Sequence, residues 1–418
     1  MNAVADTPET LDVEAIRAQF PVLAQEVNGR PLVYLDNAAS TQKPDAVIDA
    51  IAAYYRRDHS NVHRGAHALA DRATASFEAA RGKVAAFLSG ADAPAVSQDE
   101  IVWTRGTTEA INLVANSWGR ANLGAGDEIV LTELEHHADI VPWQMVAEAT
   151  GARIRVIPVT DTGEVDLDTA RTLIGPRTKL LAFAHVSNSL GTVLPAEELI
   201  ALARGAGATV LVDGAQAVNH FRVDVKALDC DFYAFSGHKL FGPTGIGVLY
   251  GKAGLLEAMP PWQGGGEMID RVSFEETTYN RAPFRFEAGT PHIAGAIGLG
   301  AAIDWLSGID VDAAARHEQA LLARLDDALA GMNDIRRIGT APGKAAVVSF
   351  LMDGAHPTDV GMLLDQQGVA VRTGHHCTMP LMTRFGVPGT VRASFSVYNT
   401  LDEVDRFVEA LDKVRSFL

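Results

Sequence analysis

Residues 209–216 of this chain read Thr-Val-Leu-Val-Asp-Gly-Ala-Gln, and residues 231–239 read Asp-Phe-Tyr-Ala-Phe-Ser-Gly-His-Lys. In both stretches a short apolar run ends in polar residues. Runs that are apolar almost throughout are typical of strands covered on both faces, as in α/β proteins. We therefore predict two buried strands, the first ending in Asp213 and the second ending just before Lys239. Open α/β sheets bind their ligands at such carboxyl ends.

The same pattern continues along much of the chain. Further apolar runs that predict strands lie at residues 101–104, 128–132, 153–158, 180–185 and 247–250. Helical patterns cover residues 44–57, 67–88 and 108–118, and the segments between strands supply crossover helices. The fold class that this order predicts is α/β, with a mostly parallel seven-stranded sheet in a large domain.

A different pattern begins near residue 294. It predicts a helical stretch over 294–330 with a break near Gly308, strands at 346–351, 369–372 and 390–394, and helices at 358–367 and 401–417. We predict a smaller α+β C-terminal domain. The expected division is residues 23–299 for the large domain, and residues 1–22 together with 300–418 for the small one. Residues 1–10 are expected to be frayed, before a short helix over 13–20.

Composition and net charge exclude several classes of function. The chain has 418 residues, 47% of them apolar, which suffices for a large core. Its 52 acidic and 35 basic residues give a formal net charge of −17, which argues against nucleic acid or an anionic membrane as a partner. No apolar run approaches the roughly 20 residues of a membrane-spanning helix. Two cysteines cannot build a disulfide framework, and no secretory signal is evident, so we expect a reducing, cytoplasmic location.

Asp213 and Lys239 together indicate a cofactor. A lysine at a strand end, followed by a glycine-rich turn, can lose its hydration and become nucleophilic enough to form a Schiff base with an aldehyde. A carboxylate near it can stabilise a protonated pyridine nitrogen. Pyridoxal 5'-phosphate (PLP) requires this pair of groups. The alternative is a surface lysine and an aspartate that caps a helix, and the two strand-end positions favour PLP over it.

Further segments offer groups that such a cofactor uses. Gly106-Thr107-Thr108 opens a predicted helix, where free N–H groups and two hydroxyls suit a phosphate, although the same residues also make an ordinary helix cap. Ser236 and His238 are close to Lys239 and could reach the same phosphate. His136 could stack on the ring, and Asn188 could reach its oxygen. A histidine bonded to a loop carbonyl and a loop-forming asparagine are the respective alternatives.

Cys377 follows Arg372-Thr373-Gly374-His375-His376 and is one of two cysteines. A thiol beside two imidazoles and near an arginine is placed where a thiolate would be stabilised, which makes Cys377 a candidate nucleophile. The alternative is a small packing residue, which we also expect for Cys230. A metal site is disfavoured, because adjacent residues of an extended segment point to opposite sides and no second pair of cysteines completes four ligands.

At this density of motifs the chain resembles a family. It is similar to the fold type I PLP enzymes of the class V aminotransferase superfamily, and within them to the group II cysteine desulfurases of the SUF type and the related selenocysteine lyases. The matching stretches are residues 34–39 (YLDNAA), 61–65 (NVHRG), 105–109 (RGTTE), 135–138 (EHHA), 185–188 (HVSN), 212–216 (VDGAQ), 236–239 (SGHK), 285–291 (RFEAGTP) and 372–377 (RTGHHC).

The resemblance implies a role for each matching side chain. The implied cofactor contacts are Lys239 with the aldehyde carbon, Asp213 with the pyridine nitrogen, Asn188 and Gln216 with the phenolic oxygen, His136 on the ring face, and Thr107, Thr108, Ser236 and His238 with the phosphate. Thr290 would reach the phosphate from a second subunit, which implies a homodimer. The implied substrate contacts are Arg392, Arg372, Asn188 and His63. Lys239, His136 and the sulfur acceptor Cys377 would be the catalytic residues.

The resemblance also implies a reaction. L-cysteine would be converted to L-alanine, and Cys377 would carry the sulfur as a persulfide to an acceptor protein of the SUF pathway, for iron-sulfur cluster assembly. L-selenocysteine is a second candidate substrate, since the resemblance includes lyases for it. Thr378, which stands where this group more often has alanine, is expected to tune the loop. Two alternatives remain open, an aminotransferase or lyase on the same scaffold and a sulfur-relay scaffold with little turnover.

Overall fold

The structure, a computed structural model, describes residues 11–91 and 93–417. The predicted frayed segment 1–10 lies outside the described residues. A seven-stranded sheet forms the centre of the chain. In spatial order its strands are Ile101–Thr104, Gly247–Gly251, Phe232–Ser236, Thr209–Asp213, Thr178–Ala184, Glu128–Thr132 and Arg153–Ile157. Gly247–Gly251 pairs antiparallel with both neighbours, and the other pairs are parallel. The predicted α/β fold with a mostly parallel seven-stranded sheet is confirmed.

Helices cover both faces of this sheet. Most of its strands are buried on both sides and are largely apolar, which explains why they could be predicted from the sequence. The edge strand Arg153–Ile157 is mostly exposed. The described α-helices are Val13–Arg17, Asp45–Ala53, Ala68–Phe87, Thr107–Val114, Arg120–Asn122, Val141–Thr150, Leu167–Leu173, Ala196–Ala206, Ala253–Ala258, Ile293–Ser307, Val311–Ala330, Pro357–Asp365, Met379–Arg384 and Leu401–Phe417. The helix expected over 13–20 ends at Arg17, because Phe20 is already extended ahead of Pro21.

A second, four-stranded antiparallel sheet lies in the C-terminal part. Its strands in spatial order are Ile335–Ile338, Val347–Met352, Thr390–Ser394 and Arg372–Gly374. The single strand expected over 369–372 is in fact two, because its halves have different partners: Val369–Ala370 pairs in parallel with Val33–Tyr34, and Arg372–Gly374 pairs with Thr390–Ser394. The strand Ile335–Ile338 was not predicted, since two arginines interrupt its apolar pattern.

Two short antiparallel pairs complete the strands, Glu26–Val27 with Arg30–Pro31 and Ile269–Val272 with Thr277–Tyr279. The N-terminal segment packs against three later parts of the chain, since the ring of Phe20 contacts Phe241, Trp305 and Tyr398. Among the described residues no single helix is long and apolar enough to cross a membrane; only the bent pair Ile293–Ser307 and Val311–Ala330, taken together, has that length and composition.

Candidate active site

One cavity lies at the carboxyl edge of the seven-stranded sheet, between that sheet and the C-terminal sheet. Twelve of the fourteen predicted site residues line it. They are Thr107, Thr108, His136, Asn188, Asp213, Gln216, Ser236, His238, Lys239, Arg372, Cys377 and Arg392. They come together because parallel strands end at the same edge, so that the turns after five different strands face one space.

Lys239 and Asp213 lie on neighbouring strand ends. Asp213 is the last residue of its strand, and Lys239 ends a short 3-10 turn, Gly237–Lys239, that directly follows the next strand. Burial lowers the pKa of Lys239 to about 8, with Arg392 and Arg372 acting in the same direction and Asp213 opposing them. Burial raises the pKa of Asp213, against the hydrogen bond that Ala215 N donates to Asp213 Oδ1 (2.9 Å) and the charge of Lys239.

Gly214 is required directly after Asp213. A Cβ atom at this position would lie 2.0 Å from Cε1 of Tyr233, so no other residue fits there without displacing that buried ring. The glycine therefore fixes how the chain leaves the strand and how Asp213 faces the cavity.

The helix Thr107–Val114 begins at the cavity wall. Thr107 N donates to Ser236 Oγ (2.8 Å), and the hydroxyls of the same two residues are also 2.8 Å apart. Burial, with Lys239 and Lys43 in support, lowers the pKa of His238 to about 4, so this ring is neutral at pH 7. Hydroxyl and N–H donors at a helix start are the groups that bind a phosphate.

His136 follows the strand Glu128–Thr132. Its Nδ1 accepts a hydrogen bond from Ala138 N (3.0 Å), which leaves the proton on Nε2. Burial lowers the pKa of His136 to about 3, with Lys239 acting in the same direction. The ring is therefore neutral, and a neutral ring can stack on a cofactor or exchange a proton through Nε2.

Cys377 lies in a tight turn that is held on three sides. His376 and Cys377 both have positive φ, 49° and 58°, a conformation that side-chain-bearing residues rarely adopt. Asn188 Nδ2 donates to His376 O (2.7 Å), His137 N donates to Cys377 O (2.8 Å), and Cys377 N donates to His375 Nδ1 (3.0 Å). The turn is thus fixed by residues that follow two strands of the large sheet.

Thr378, the residue after the cysteine, is fully buried. Its Oγ1 lies 3.0 Å from His375 O and 3.1 Å from Ser189 Oγ. The Thr378 hydroxyl therefore ties the turn to the loop after the strand Thr178–Ala184.

Arg392 is buried beneath the cavity, and its side chain is 2% exposed. Its Nη1 donates to Asn188 O (2.8 Å) and its Nη2 to Asp36 Oδ1 (3.0 Å). Among the residues that the structure describes, Nε has no hydrogen-bond partner. Arg372 is 3.9 Å from the same carboxylate and is 47% exposed. Asp36, whose role was not predicted, therefore holds two arginines at the cavity.

The structure places two predicted residues elsewhere. His63 Nε2 lies 2.9 Å from Glu78 Oε1, against Phe77 and Phe284. Thr290 lines a second cavity with Arg105, Trp262 and His292. The substrate role of His63 and the phosphate contact of Thr290 from a second subunit stay predictions. Cys230 is fully buried, its Sγ 3.8 Å from Val225 O, as a packing residue would be.

Some contacts at the site join segments far apart in sequence. Gln216 Nε2 donates to Ala38 O (2.6 Å), and Lys43 Nζ donates to His238 O (3.0 Å). Ala38 and Ala39 therefore form one wall of the cavity, and the neighbouring residues of their segment tie this wall to the strand ends. The only sequence signal for this wall is the stretch 34–39, which ends an apolar run with an acidic residue and an amide.

Together the fold and the cavity define a class of protein. A mixed seven-stranded α/β sheet that presents a buried aspartate and a partly desolvated lysine at its carboxyl edge is the framework of a PLP-dependent enzyme of fold type I. The unpartnered Arg392 Nε and the hydroxyl cluster at the start of the helix Thr107–Val114 fit an anionic cofactor and an anionic substrate.

Comparisons with known proteins support this assignment to the PLP-dependent enzymes. The sequence profile of the family "Aminotransferase class-V" matches residues 33–407, and the chain belongs to this family. A protein of Klebsiella pneumoniae (strain 342) named cysteine desulfurase is 56% identical over 410 residues, which cover 98% of this chain and 100% of the relative.

Two solved structures support the same assignment. The cysteine desulfurase CsdA (S-sulfonic acid) from Escherichia coli is 46% identical and has a TM-score of 0.89, with 98% of this chain and 99% of that chain covered. A C-DES mutant with glycine covalently linked to its PLP cofactor is 25% identical, with a TM-score of 0.81 and coverage of 94% and 98%. This chain is an enzyme that depends on PLP, and relatives named cysteine desulfurase match it over nearly its whole length.

Proposed function

We propose that the protein is a cysteine desulfurase, which converts L-cysteine to L-alanine and captures the sulfur on Cys377. The observation that carries this proposal is that Cys377, Lys239 and Arg392 line the same cavity. An aminotransferase needs no thiol there. The relatives named cysteine desulfurase support the proposal by their identity over nearly the whole chain.

The residues that would hold PLP are those whose chemistry matches its parts. Asp213 would face the ring nitrogen, Lys239 the aldehyde carbon, and Thr107, Ser236 and His238 the phosphate. When bound, PLP supplies a sink for the electrons that leave the substrate's α-carbon. The carboxylate of Asp213 would keep a proton on the ring nitrogen, so it would be as necessary as the thiol.

The substrate carboxylate would bind to Arg392. Its planar fork suits a carboxylate, and one of its N–H groups has no partner among the described residues. Arg372, at the rim, adds positive charge. Because Asp36 and Asn188 O already fix the guanidinium, it need not reorganise when the substrate arrives.

Lys239 would act as the base. With a pKa of about 8, an appreciable fraction of its Nζ is neutral near pH 7.5 and can remove the α-proton. Cys377, as a thiolate, would then attack the sulfur of the substrate. The carbon–sulfur bond breaks, a sulfur–sulfur bond forms on Cys377, and the carbon skeleton leaves as L-alanine after it has regained protons.

The physiological setting is a further part of the proposal. Only fourteen residues separate Cys377 from Arg392, so no long arm could carry the persulfide away. We expect an acceptor protein to dock at the cavity mouth, in the SUF pathway of iron-sulfur cluster assembly. L-selenocysteine would be a second substrate, and the protein would be located in the cytoplasm.

The division into a large domain, residues 23–299, and a small domain, residues 1–22 with 300–418, stays part of this proposal.

We propose that the enzyme works as a homodimer. Thr290 would then complete a phosphate site of the second subunit. Support comes from its position away from this chain's own PLP cavity and from the exposed apolar side chains Val272 and Phe274 on the nearby hairpin. Sedimentation of the full chain tests this point, and a monomer with full activity would contradict it.

Alanine release from L-cysteine tests the proposed function. The wild-type protein should form alanine with one sulfur captured per turnover, and Cys377→Ala should stop the reaction while the visible absorbance of bound PLP is kept. Alanine formation at the wild-type rate by Cys377→Ala would favour the lyase alternative instead.

A further inference from the structure

Two buried carboxyl groups lie directly behind the PLP cavity. Glu135 and Asp139 flank the turn that carries His136, and they are 1% and 0% exposed. Neither has been given a role above, although both belong to the segment Glu-His-His-Ala-Asp at 135–139. Buried carboxyl groups without a cationic partner are rare, because a charge loses its favourable hydration when it is removed from water.

Each carboxyl has one satisfied oxygen. Thr132 Oγ1 donates to Glu135 Oε1, and Trp143 Nε1 donates to Asp139 Oδ1 (2.7 Å). The other oxygens, Glu135 Oε2 and Asp139 Oδ2, have no donor among the described residues. Yet the two carboxyl groups are close enough to hydrogen-bond each other. Two carboxylates cannot do so, since neither carries a hydrogen, whereas a carboxylic acid and a carboxylate can.

The described elements that pack around the turn contribute mostly apolar side chains. The helix Val141–Thr150 contributes the Trp143 indole, and the helix Thr107–Val114 and the strand Thr178–Ala184 pack around the turn with apolar residues such as Ile111 and Ala182. Among the described residues, the charge of Asp213 acts on both members of the pair, and Lys239 lies beyond Asp213. A second full negative charge on the pair would therefore stand against the charge of Asp213.

We propose that Glu135 and Asp139 share one proton and act as a positioning pair, which fixes the turn that carries His136 and limits the charge behind Asp213 to one unit. Burial and the charge of Asp213 raise the pKa of Asp139 to about 8, against its hydrogen bonds with Trp143 and Glu135. Burial, Asp139 and Asp213 raise the pKa of Glu135 as well, in agreement with a retained proton. The proton sharing is independent of the proposed desulfurase function; its effect on the cofactor rests on the PLP site.

Amide substitutions test the shared proton. In Asp139→Asn the amide oxygen can still accept from Trp143 and the amide nitrogen can donate to Glu135. In Glu135→Gln the oxygen can still accept from Thr132 and the nitrogen can donate to Asp139. Each single variant thus keeps every hydrogen bond and one negative charge. In the double variant two NH₂ groups face each other, or one bond to Thr132 or Trp143 is lost.

Melting temperatures of the PLP-loaded full chain show whether Glu135 and Asp139 share a proton. At pH 7 each single variant should melt at or above the wild-type temperature, and the double variant should melt several degrees below both. Glu148→Gln with Asp327→Asn, two exposed and distant positions, is the matched control and should be additive. A double variant that melts at the temperature given by the sum of the singles would overturn the proposal.

The pH dependence gives a second readout. A carboxyl group whose pKa rises on folding keeps a proton that the unfolded chain releases above about pH 4. The wild-type melting temperature should therefore fall, relative to either single variant, between about pH 4 and the folded-state pKa of about 8. An offset between wild type and single variants that stays constant with pH would contradict proton sharing.

The positioning role has its own measurement. The visible absorbance of bound PLP should be kept in both single variants and shifted in the double variant, where the turn of His136 loosens and the negative charge is lost. An unchanged spectrum in the double variant would overturn the positioning role. None of these measurements uses L-cysteine, so their failure is distinguishable from failure of the proposed desulfurase function.

Discussion

Asn188 Nδ2 donates a 2.7 Å hydrogen bond to the carbonyl oxygen of His376. Asn188 follows a strand of the large sheet, and His376 immediately precedes the candidate nucleophile in the C-terminal part of the chain. The residue at the PLP cavity thereby holds the turn that carries the thiol. The backbone carbonyl oxygen of Asn188 accepts a hydrogen bond from Arg392 Nη1 (2.8 Å). Asn188 therefore connects the turn that carries Cys377 to Arg392, the proposed binding group for the substrate carboxylate.

The first prediction concerns this connection. Asn188→Ala removes the donor to His376 O, and the turn at positive φ is no longer held on that side. Persulfide formation on Cys377 should slow by about 3- to 10-fold, as the loss of one hydrogen bond of about 1 kcal/mol implies. Quenched-flow mass spectrometry measures it, with PLP absorbance as the check that the cofactor is bound. A wild-type rate would show that the turn needs no such support.

The second prediction compares the two arginines. Arg392→Lys replaces a fixed fork by a point charge that cannot serve Asn188, Asp36 and a substrate carboxylate together. The KM for L-cysteine should rise about 10- to 100-fold, the equivalent of one or two charge-assisted hydrogen bonds. Arg372→Lys is the matched control and should change KM less, because Arg372 is half-exposed and 3.9 Å from Asp36. Equal effects would contradict the assignment of Arg392 as the main carboxylate contact.

The third prediction concerns pH. Lys239 must be neutral to accept a proton, and its pKa is about 8, so kcat should rise with pH and level off above about 8. Arg372 is one of the charges that lower the pKa of Lys239. In Arg372→Ala the rising limb should therefore move to higher pH. The pH dependence of kcat is measured from pH 6 to 10. If its rising limb does not move in Arg372→Ala, a group other than Lys239 controls the increase in kcat.

The fourth prediction separates the two thiols. Cys377 is partly exposed at the cavity, whereas Cys230 is fully buried and its burial raises the pKa of its thiol. A thiol reagent should modify Cys377 much faster than Cys230 in the folded protein, as peptide mapping after timed labelling would show. In addition, Cys230→Ser should lower the free energy of unfolding by about 1–3 kcal/mol, because it leaves a hydroxyl in an apolar site. Comparable labelling of both thiols would contradict the packing role of Cys230.

Much of the fold could be predicted from the sequence because buried parallel strands are largely apolar. Strands such as Glu128–Thr132 and Thr209–Asp213 therefore have the predicted bounds. Where the pattern is set by a partner strand, prediction was poorer. The run after Gln367 divides into two strands because Val33–Tyr34 pairs with only its first half. Ile335–Ile338, with arginines at its centre, is a strand only because Val347–Met352 lies beside it.

In the candidate site, too, contacts between segments far apart in sequence could not be predicted. Residues at strand ends, such as Asp213 and Lys239, could be predicted to converge, since the topology brings the carboxyl ends together. The contact of Asp36 with Arg392 joins residues 356 positions apart, and no local pattern indicates it. Likewise the Glu135–Asp139 pair needs coordinates, because acidic residues near a loop usually face solvent.

In the proposed reaction Cys377 receives the sulfur atom of L-cysteine. Mass spectrometry of the peptide that contains Cys377 tests this transfer, after one turnover of the PLP-loaded protein with L-cysteine and without a reductant. An increment of about 32 Da, one sulfur atom, is expected on that peptide. The peptide with Cys230 and the same digest of Lys239→Ala should show none. Formation of alanine without an increment on Cys377 would contradict sulfur transfer to this thiol.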